Sequence, residues 1–245
     1  MSHKKRYVLV GTGGRASMYT KALVVDYHAV AELVALCDNN PGRTRFYADQ
    51  ARQHGVEIAT YLDNDFEWMI AECRPDIVIV TSKDCTHDDY ICRAMELGCD
   101  VITQKPMTMN EEKCQRILDT RKKTGRKCRV TFSYRYAPPA TQLKDLLMSG
   151  IIGEVRSIDF HWLLNTSHGA DYFRRWHRQK ANSGGLQVHK ATYHVDLYLA
   201  NESYDGYHRD HCVFSQDIDI VDTLHAIVSY QNGVQMSYSL HAFMP

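Results

Sequence analysis

The sequence predicts an α/β protein: a doubly wound parallel sheet in the first half, then an α+β region with a mostly antiparallel open sheet. Three observations predict it. Short apolar runs alternate with helical segments up to about residue 132. The first run ends in a glycine-rich turn that opens a helix. Late in the chain, Asn232-Gly233 joins two alternating runs, the strongest short hairpin signal.

Taken in order, Tyr7 to Val10 reads as a strand and Ser17 to Tyr27 as a helix. Ala31 to Cys37 is a second strand, Thr44 to His54 a helix, and Val56 to Ala59 strand-like. Asp65 to Glu72 places Phe66, Met69 and Ile70 on one helical side. Pro75-Asp76 opens the run IVIV, a continuous apolar segment suited to a buried parallel strand. Asp88 to Leu97 is helical and Gly98 stops it. Asp100 to Thr103 is a strand. Asn110 caps the helix Glu111 to Thr124, Gly125 ends it, and Arg129 to Phe132 is the next strand. Strands at this spacing, each followed by a helix, specify a parallel sheet. Beyond them, Ala140 to Ser149 reads as a helix ended by Gly150, and Glu154 to Leu164 as an alternating run. Leu186 to Ala200 reads as a helix, and Ile218 to Tyr230 and Val234 to Phe243 as the hairpin strands.

The chain has 245 residues, with 29 Lys plus Arg against 29 Asp plus Glu. That length suits two modest domains, expected at 1–130 and 131–245. Balanced charge gives no footprint for nucleic acid or an acidic membrane surface. No apolar run approaches the ~18 residues of a membrane span. The eight cysteines, at 37, 73, 85, 92, 99, 114, 128 and 212, form no CxxC pair. They read as reduced thiols of a cytoplasmic protein, with no metal site.

Gly11-Thr12-Gly13-Gly14-Arg15-Ala16 fits GxGxxA, directly after a strand and opening a helix. Glycines there allow a tight turn and close approach of a pyrophosphate, with the helix N-terminus facing it. Asp38 ends the second strand, 22 residues after Ala16, where a carboxylate takes an adenine ribose. The pattern predicts a Rossmann dinucleotide site. The carboxylate favours NAD by repelling a 2′-phosphate; Arg43, able to stack on adenine or reach a phosphate, leaves NADP open.

From these residues onward the chain resembles the Gfo/Idh/MocA family of NAD(P)-dependent oxidoreductases. The resemblance runs from GTGGRA through Cys37-Asp38 to IVIVTS, with His87 six residues after Thr81. It continues through Gly98, VITQKP, Tyr134-Arg135-Tyr136, GIIGEV and Ser183-Gly184-Gly185 to a His/Asp helix. It implies an active site between two domains and a homodimer or homotetramer built on the second sheet. The expected substrate is a sugar, polyol or sugar derivative. Thr81, Ser82, His87 and Gln104 would join the glycine loop, Asp38 and Arg43 in holding the cofactor. Lys105 would be catalytic or substrate-orienting, and Arg135, Trp176 and Arg178 would face substrate.

Two departures stand out. Gln104-Lys105-Pro106 replaces the family's usual EKP, exchanging a carboxylate for an amide. After the glycine pair, where the family often shows an acid, a histidine and a second acid, this chain has His189, Tyr193 and Asp196, so the acid/histidine pair is replaced. At about 100° per residue these three fall within about 60° of one another. His189 and Tyr193 are therefore the preferred acid/base candidates, with His194 pointing elsewhere but still near substrate. The primary expectation is hydride transfer between nicotinamide and a secondary alcohol. Two alternatives stay open: an NAD-dependent glycosidase working by oxidation and elimination with cofactor recycling, and a non-catalytic NAD- and sugar-sensing protein. The second half is short for this pattern, so the chain is expected to be a fragment or to lack C-terminal elements.

Overall fold

The computed structural model describes residues 4–155, 157–185, 217–220, 223–229 and 235–244. Six parallel strands form the first sheet: β1 (Lys5–Val10), β2 (Ala31–Cys37), β3 (Ala59–Tyr61), β4 (Ile77–Val80), β5 (Asp100–Gln104) and β6 (Cys128–Thr131). Their spatial order is β3-β2-β1-β4-β5-β6, so the strand order reverses between β1 and β4. That reversal leaves a crevice at the carboxyl ends of the strands, where such sheets bind ligands.

Both faces of this sheet are covered, which explains the continuous apolar runs. Val8, Val10, Val78 and Val80 pack with Phe66, Met69, Ile91, Met95 and Ile117 on one face. The alternate residues Leu9, Leu33, Leu36 and Ile79 pack with Tyr47, Ala48 and Ala51 on the other. The first layer is closed by α3 (Phe66–Cys73), α4 (His87–Glu96) and α5 (Glu111–Thr124); the second by α1 (Ala16–Lys21) and α2 (Pro41–Arg52). Buried Asp88, at the start of α4, accepts from Lys113 Nζ at 2.5 Å and Arg116 Nη1 at 2.9 Å, fastening α4 to α5.

Several boundaries differ from expectation for local reasons. The first helix is α only to Lys21. A π-helical turn follows over Ala22–Asp26, closed by Tyr27 N donating to Ala22 O at 2.8 Å. The second helix begins three residues early, at Pro41, because Asn40 caps it, accepting from Gly42 N and Arg43 N. The third strand lies later, at Ala59–Tyr61. Val56 and Ile58 pack against the core without joining the ladder.

The fifth helix matches its expected limits. Asn110 accepts from Lys113 N at 3.0 Å, and Gly125 closes the other end at φ 68°. Asn110→Ala should cost about 1 kcal/mol, read as a fall of about 2–4 °C in melting temperature. An unchanged melt would show that the cap carries no stability.

Beyond β6 come α6 (Pro138–Met148), β7 (Ser157–Asn165), α7 (Thr166–Arg174), a 3₁₀ turn at Trp176–Arg178 and the short α8 (Lys180–Ser183). Strands β8 (Thr223–Ser229) and β9 (Gln235–Met244) pair antiparallel, as the Asn-Gly signal implies. The third strand of this sheet, β7, lies parallel to β9, giving the order β7-β9-β8. The second sheet is thus mixed, with its hairpin antiparallel and one edge parallel. The expected helix Leu186 to Ala200 lies outside the described residues. No helix among the described residues is long and apolar enough to cross a membrane.

Candidate active site

The glycine loop after β1 meets the chain leaving β4 at the reversal point. Gly11 has φ +86°, and a Cβ there would lie 2.4 Å from Ser82 N and 2.6 Å from Thr81 C. Thr81 Oγ1 donates to Gly11 O at 2.5 Å, drawing the two segments together. The glycine at this position is required by a second loop of the protein itself, whatever ligand binds beside it. Tyr47 OH donates to Gly13 O at 3.0 Å, and Ala16 N to the same carbonyl at 2.9 Å, so the turn is held from below.

Asp38 is buried and saturated. Its Oδ2 accepts from Thr12 N at 2.5 Å and Thr12 Oγ1 at 2.9 Å; its Oδ1 accepts from Asn40 N at 2.9 Å and Arg43 Nη2 at 2.8 Å. Four donors fill a carboxylate's acceptor capacity. A ribose hydroxyl would therefore reach Asp38 by displacing a side-chain donor, with Arg43 the longest-stemmed of them.

These segments wall a cleft of about 240 Å³. Of the residues expected at the cofactor, Gly11, Gly13, Gly14, Arg15, Asp38, Arg43, Thr81, Ser82, His87 and Gln104 line it. Thr12 and Ala16 lie beneath, fully buried. His87 braces two loops, with Nδ1 2.9 Å from Pro106 O and Nε2 3.1 Å from Ser82 O. Burial holds its pKa below the ordinary histidine value, against those backbone acceptors.

Gln104 is clamped through its carbonyl. Oε1 accepts from Thr131 Oγ1 at 2.9 Å and Tyr19 OH at 3.3 Å, and those two hydroxyls meet at 2.7 Å. Burial raises the Tyr19 hydroxyl above its usual value, so it remains a donor. Gln104 Nε2 is buried with no hydrogen-bond partner among the described residues. A buried amide donor on the wall of a cleft calls for a ligand acceptor. This orphaned donor and the crowded glycine turn fit a bound dinucleotide.

Lys105 also lines the cleft, as do Arg175, Trp176 and His177 from the second half of the chain. Trp176 stacks on His177, centroids 3.6 Å apart and planes 20° apart; His177 meets Tyr172 edge-on at 5.4 Å. Two expected substrate residues do not line the cleft. Arg178 is buried against Asp217, with Nη2 to Oδ1 at 2.5 Å. Arg135 sits in an exposed 3₁₀ turn, 6.0 Å from the Tyr136 ring centroid. His189, Tyr193, His194 and Asp196 lie outside the described residues. Among the described residues no group of His, Cys, Asp or Glu could hold a metal.

Sequence reasoning missed Tyr19, Tyr47, Asp84 and Arg175. Asp84 is nearly inaccessible, in the 3₁₀ turn Asp84–Thr86 between β4 and α4. An acid four residues beyond a fully apolar parallel strand, at the sheet's carboxyl edge, was a usable signal for it.

Residues 5–132 match the family model described as "Oxidoreductase family, NAD-binding Rossmann fold", and residues 144–245 match its "C-terminal alpha/beta domain". YteT of Bacillus subtilis (strain 168), named as an oxidoreductase, is 30% identical over 306 residues, covering 96% of this chain and 71% of that protein. The inositol 2-dehydrogenase/D-chiro-inositol 3-dehydrogenase of Lactiplantibacillus plantarum is 24% identical over 206 residues, covering 83% of this chain and 54% of that one. The crystal structure of the WlbA dehydrogenase from Chromobacterium violaceum, in complex with NADH and UDP-GlcNAcA, shares the fold. Its TM-score is 0.78 at 19% identity, over 100% of this chain and 69% of that one.

Proposed function

The chain belongs to the Gfo/Idh/MocA oxidoreductase family, with an NAD-binding Rossmann fold followed by a C-terminal alpha/beta domain, and from that premise we propose that it oxidises a secondary alcohol of a polyol or sugar derivative. In this reading residues 1–130 hold the cofactor and residues 131–245 shape the substrate site. The observation that carries it is the meeting in one cleft of the glycine loop, Gln104 at the end of β5, Lys105 just after it, and Trp176 from the second half. The curated relatives named for inositols support a polyol as the substrate class.

When bound, NAD accepts the hydride that leaves the carbinol carbon. The protein's part is to bind, orient and take the proton. Gln104 Nε2 would donate to an acceptor on the bound cofactor. Lys105 places positive charge beside the alcohol oxygen, stabilising negative charge as it develops there. The alcohol proton must go to a base, and His189 is the candidate because imidazole titrates near neutrality; Tyr193 is the other. Trp176 offers an aromatic face to a sugar ring. The overall change is alcohol plus NAD giving carbonyl, NADH and one proton.

The test is absorbance at the NADH band across inositols, free sugars and glycosides, with NAD or NADP. A rise with NAD and a polyol or sugar supports the reading. Sugar released from a glycoside without net NADH would replace it with the oxidation–elimination chemistry. Tight NAD binding with no turnover on any compound would replace it with a sensor.

A further inference from the structure

His87 lines the cleft, yet its ring has no nitrogen left for a ligand. Nδ1 lies 2.9 Å from Pro106 O and Nε2 3.1 Å from Ser82 O. The residue is 1% exposed. Both nitrogens face the protein's own backbone, so this side chain acts through what it holds. The two carbonyls belong to the loops after β4 and β5, and Pro106 directly follows Lys105.

The ring stands on a firm base. His87 is the first residue of α4, and its neighbour Asp88 fastens that helix to α5 through Lys113 and Arg116. Thr86 Oγ1 donates to Ser82 Oγ at 2.8 Å, closing the turn before it. A buried ring on so fixed a backbone has little rotamer freedom.

The segment it meets is held less fully. On one side of Lys105, Gln104 ends β5 and pairs with Thr131 of β6. On the other side the chain crosses to Asn110, the cap of α5. Within that link Met107 rests against the apolar core, a contact without direction. A hydrogen bond to Pro106 O has direction, and it comes one residue after Lys105. The ladder and that bond fix the Lys105 backbone from both sides. Burial lowers the His87 pKa below its ordinary value, against the backbone of Pro106, Ser82 and Met107, so near neutrality the ring is uncharged and carries one N–H. One N–H cannot serve two carbonyls, and the nearer is Pro106 O.

We infer that His87 is a positioning residue: its Nδ1–H holds the Pro106 carbonyl and so sets where Lys105 stands in the cleft. The effect on catalysis rests on the dehydrogenase reading above; the hold on Pro106 does not.

Long-range proton–nitrogen NMR spectra of the NAD-free protein, carrying labelled histidine, test the hold without turnover. The His87 ring is the signal lost in a His87 variant. It should show the Nδ1–H tautomer, the minority form of free histidine, near neutral pH. An Nε2–H tautomer overturns the inference. Two variants then separate the two carbonyls. Asparagine places an amide N–H near the Nδ1 position, and glutamine places one near the Nε2 position. Backbone hydrogen exchange across residues 105–110 should be about fivefold faster in His87→Gln than in His87→Asn, the scale of one lost hydrogen bond. Equal exchange in the two overturns the inference. If the Gln variant does not fold, exchange in His87→Asn is compared with wild type, and a rate beyond about twofold faster overturns the inference. In the dehydrogenase assay, His87→Gln should lower kcat about 10–100-fold, the scale of a small misplacement, with KM and NADH affinity within about twofold, and His87→Asn should recover about tenfold of that loss. On a Lys105→Met background His87→Gln should add no further loss, and additive losses would overturn the positioning role. A wild-type protein that oxidises no polyol or sugar would sink the dehydrogenase reading, while the tautomer and the exchange rates would still judge His87.

Discussion

Replacing Lys105 with Met is expected to lower kcat by about 10²–10³-fold, the cost of removing one preorganised charge at a developing oxyanion. Methionine keeps the length and apolar stem of lysine and removes only the ammonium. The glycine loop and Asp38 follow β1 and β2, on other segments than Lys105, so NADH affinity should stay within about twofold. The measurement is a pair: steady-state kcat with a polyol substrate, and NADH binding by fluorescence. A large kcat loss with intact binding assigns Lys105 to the chemistry. An undiminished kcat would remove it from the mechanism. A loss confined to NADH affinity would make it a cofactor contact.

Gly11→Ala is expected to be the most damaging single-methyl change in the Rossmann half. Two costs coincide. An L side chain at φ +86° is strained, by roughly 1–2 kcal/mol. The new methyl also falls 2.4 Å from Ser82 N and 2.5 Å from Ser82 Cα, which are backbone atoms and cannot rotate aside. Overpacking of that kind adds about 1–3 kcal/mol. The loops after β1 and β4 must then separate, and they frame the pyrophosphate position. The expected result is a melting temperature lower by about 5–15 °C and NADH affinity weakened by about tenfold or more. Gly125→Ala is the control. Gly125 also has positive φ, at +68°, but nothing lies within 4 Å of its missing Cβ. It should lose about 1 kcal/mol of stability and no affinity. Equal behaviour of the two variants would mean that the contact between the loops is unimportant.

Much of this was legible in the residues. IVIV at 77–80 and VLV at 8–10 read as parallel strands because each is buried on both faces, leaving no polar alternation to confuse the pattern. Asn110 and Gly125 bracketed their helix because capping chemistry is local. The π turn after Lys21 was not legible, since a shift from i−4 to i−5 bonding leaves the apolar spacing nearly intact. Nor was the start of β3: Val56 and Ile58 are apolar for packing reasons, with no part in the ladder.

The candidate site was legible where chemistry is local and obscure where it depends on convergence. Gly11, Asp38 and Lys105 stand out by their positions after strands. Asp84 and Arg175 stand in polar stretches that look solvated, and only the folded chain shows that both are buried and line the same cleft as Lys105. Gln104 looked like a weakened glutamate. Its clamp by Tyr19 and Thr131 instead makes it a directed donor, because the two hydroxyls occupy its carbonyl. Arg178 and Arg135 were placed at substrate by their order in the family pattern, and burial against Asp217 and exposure in a turn take them off the cleft wall.

The central claim is that this cleft removes a hydride from a carbinol carbon. The most direct measurement is the isotope content of the reduced cofactor, by mass spectrometry, after reaction with a polyol deuterated at its ring carbons in ordinary water. The account predicts one deuterium in each NADH formed, and none when the deuterium is supplied in the solvent instead. Reduced cofactor carrying solvent deuterium, or none from the labelled carbon, would contradict it.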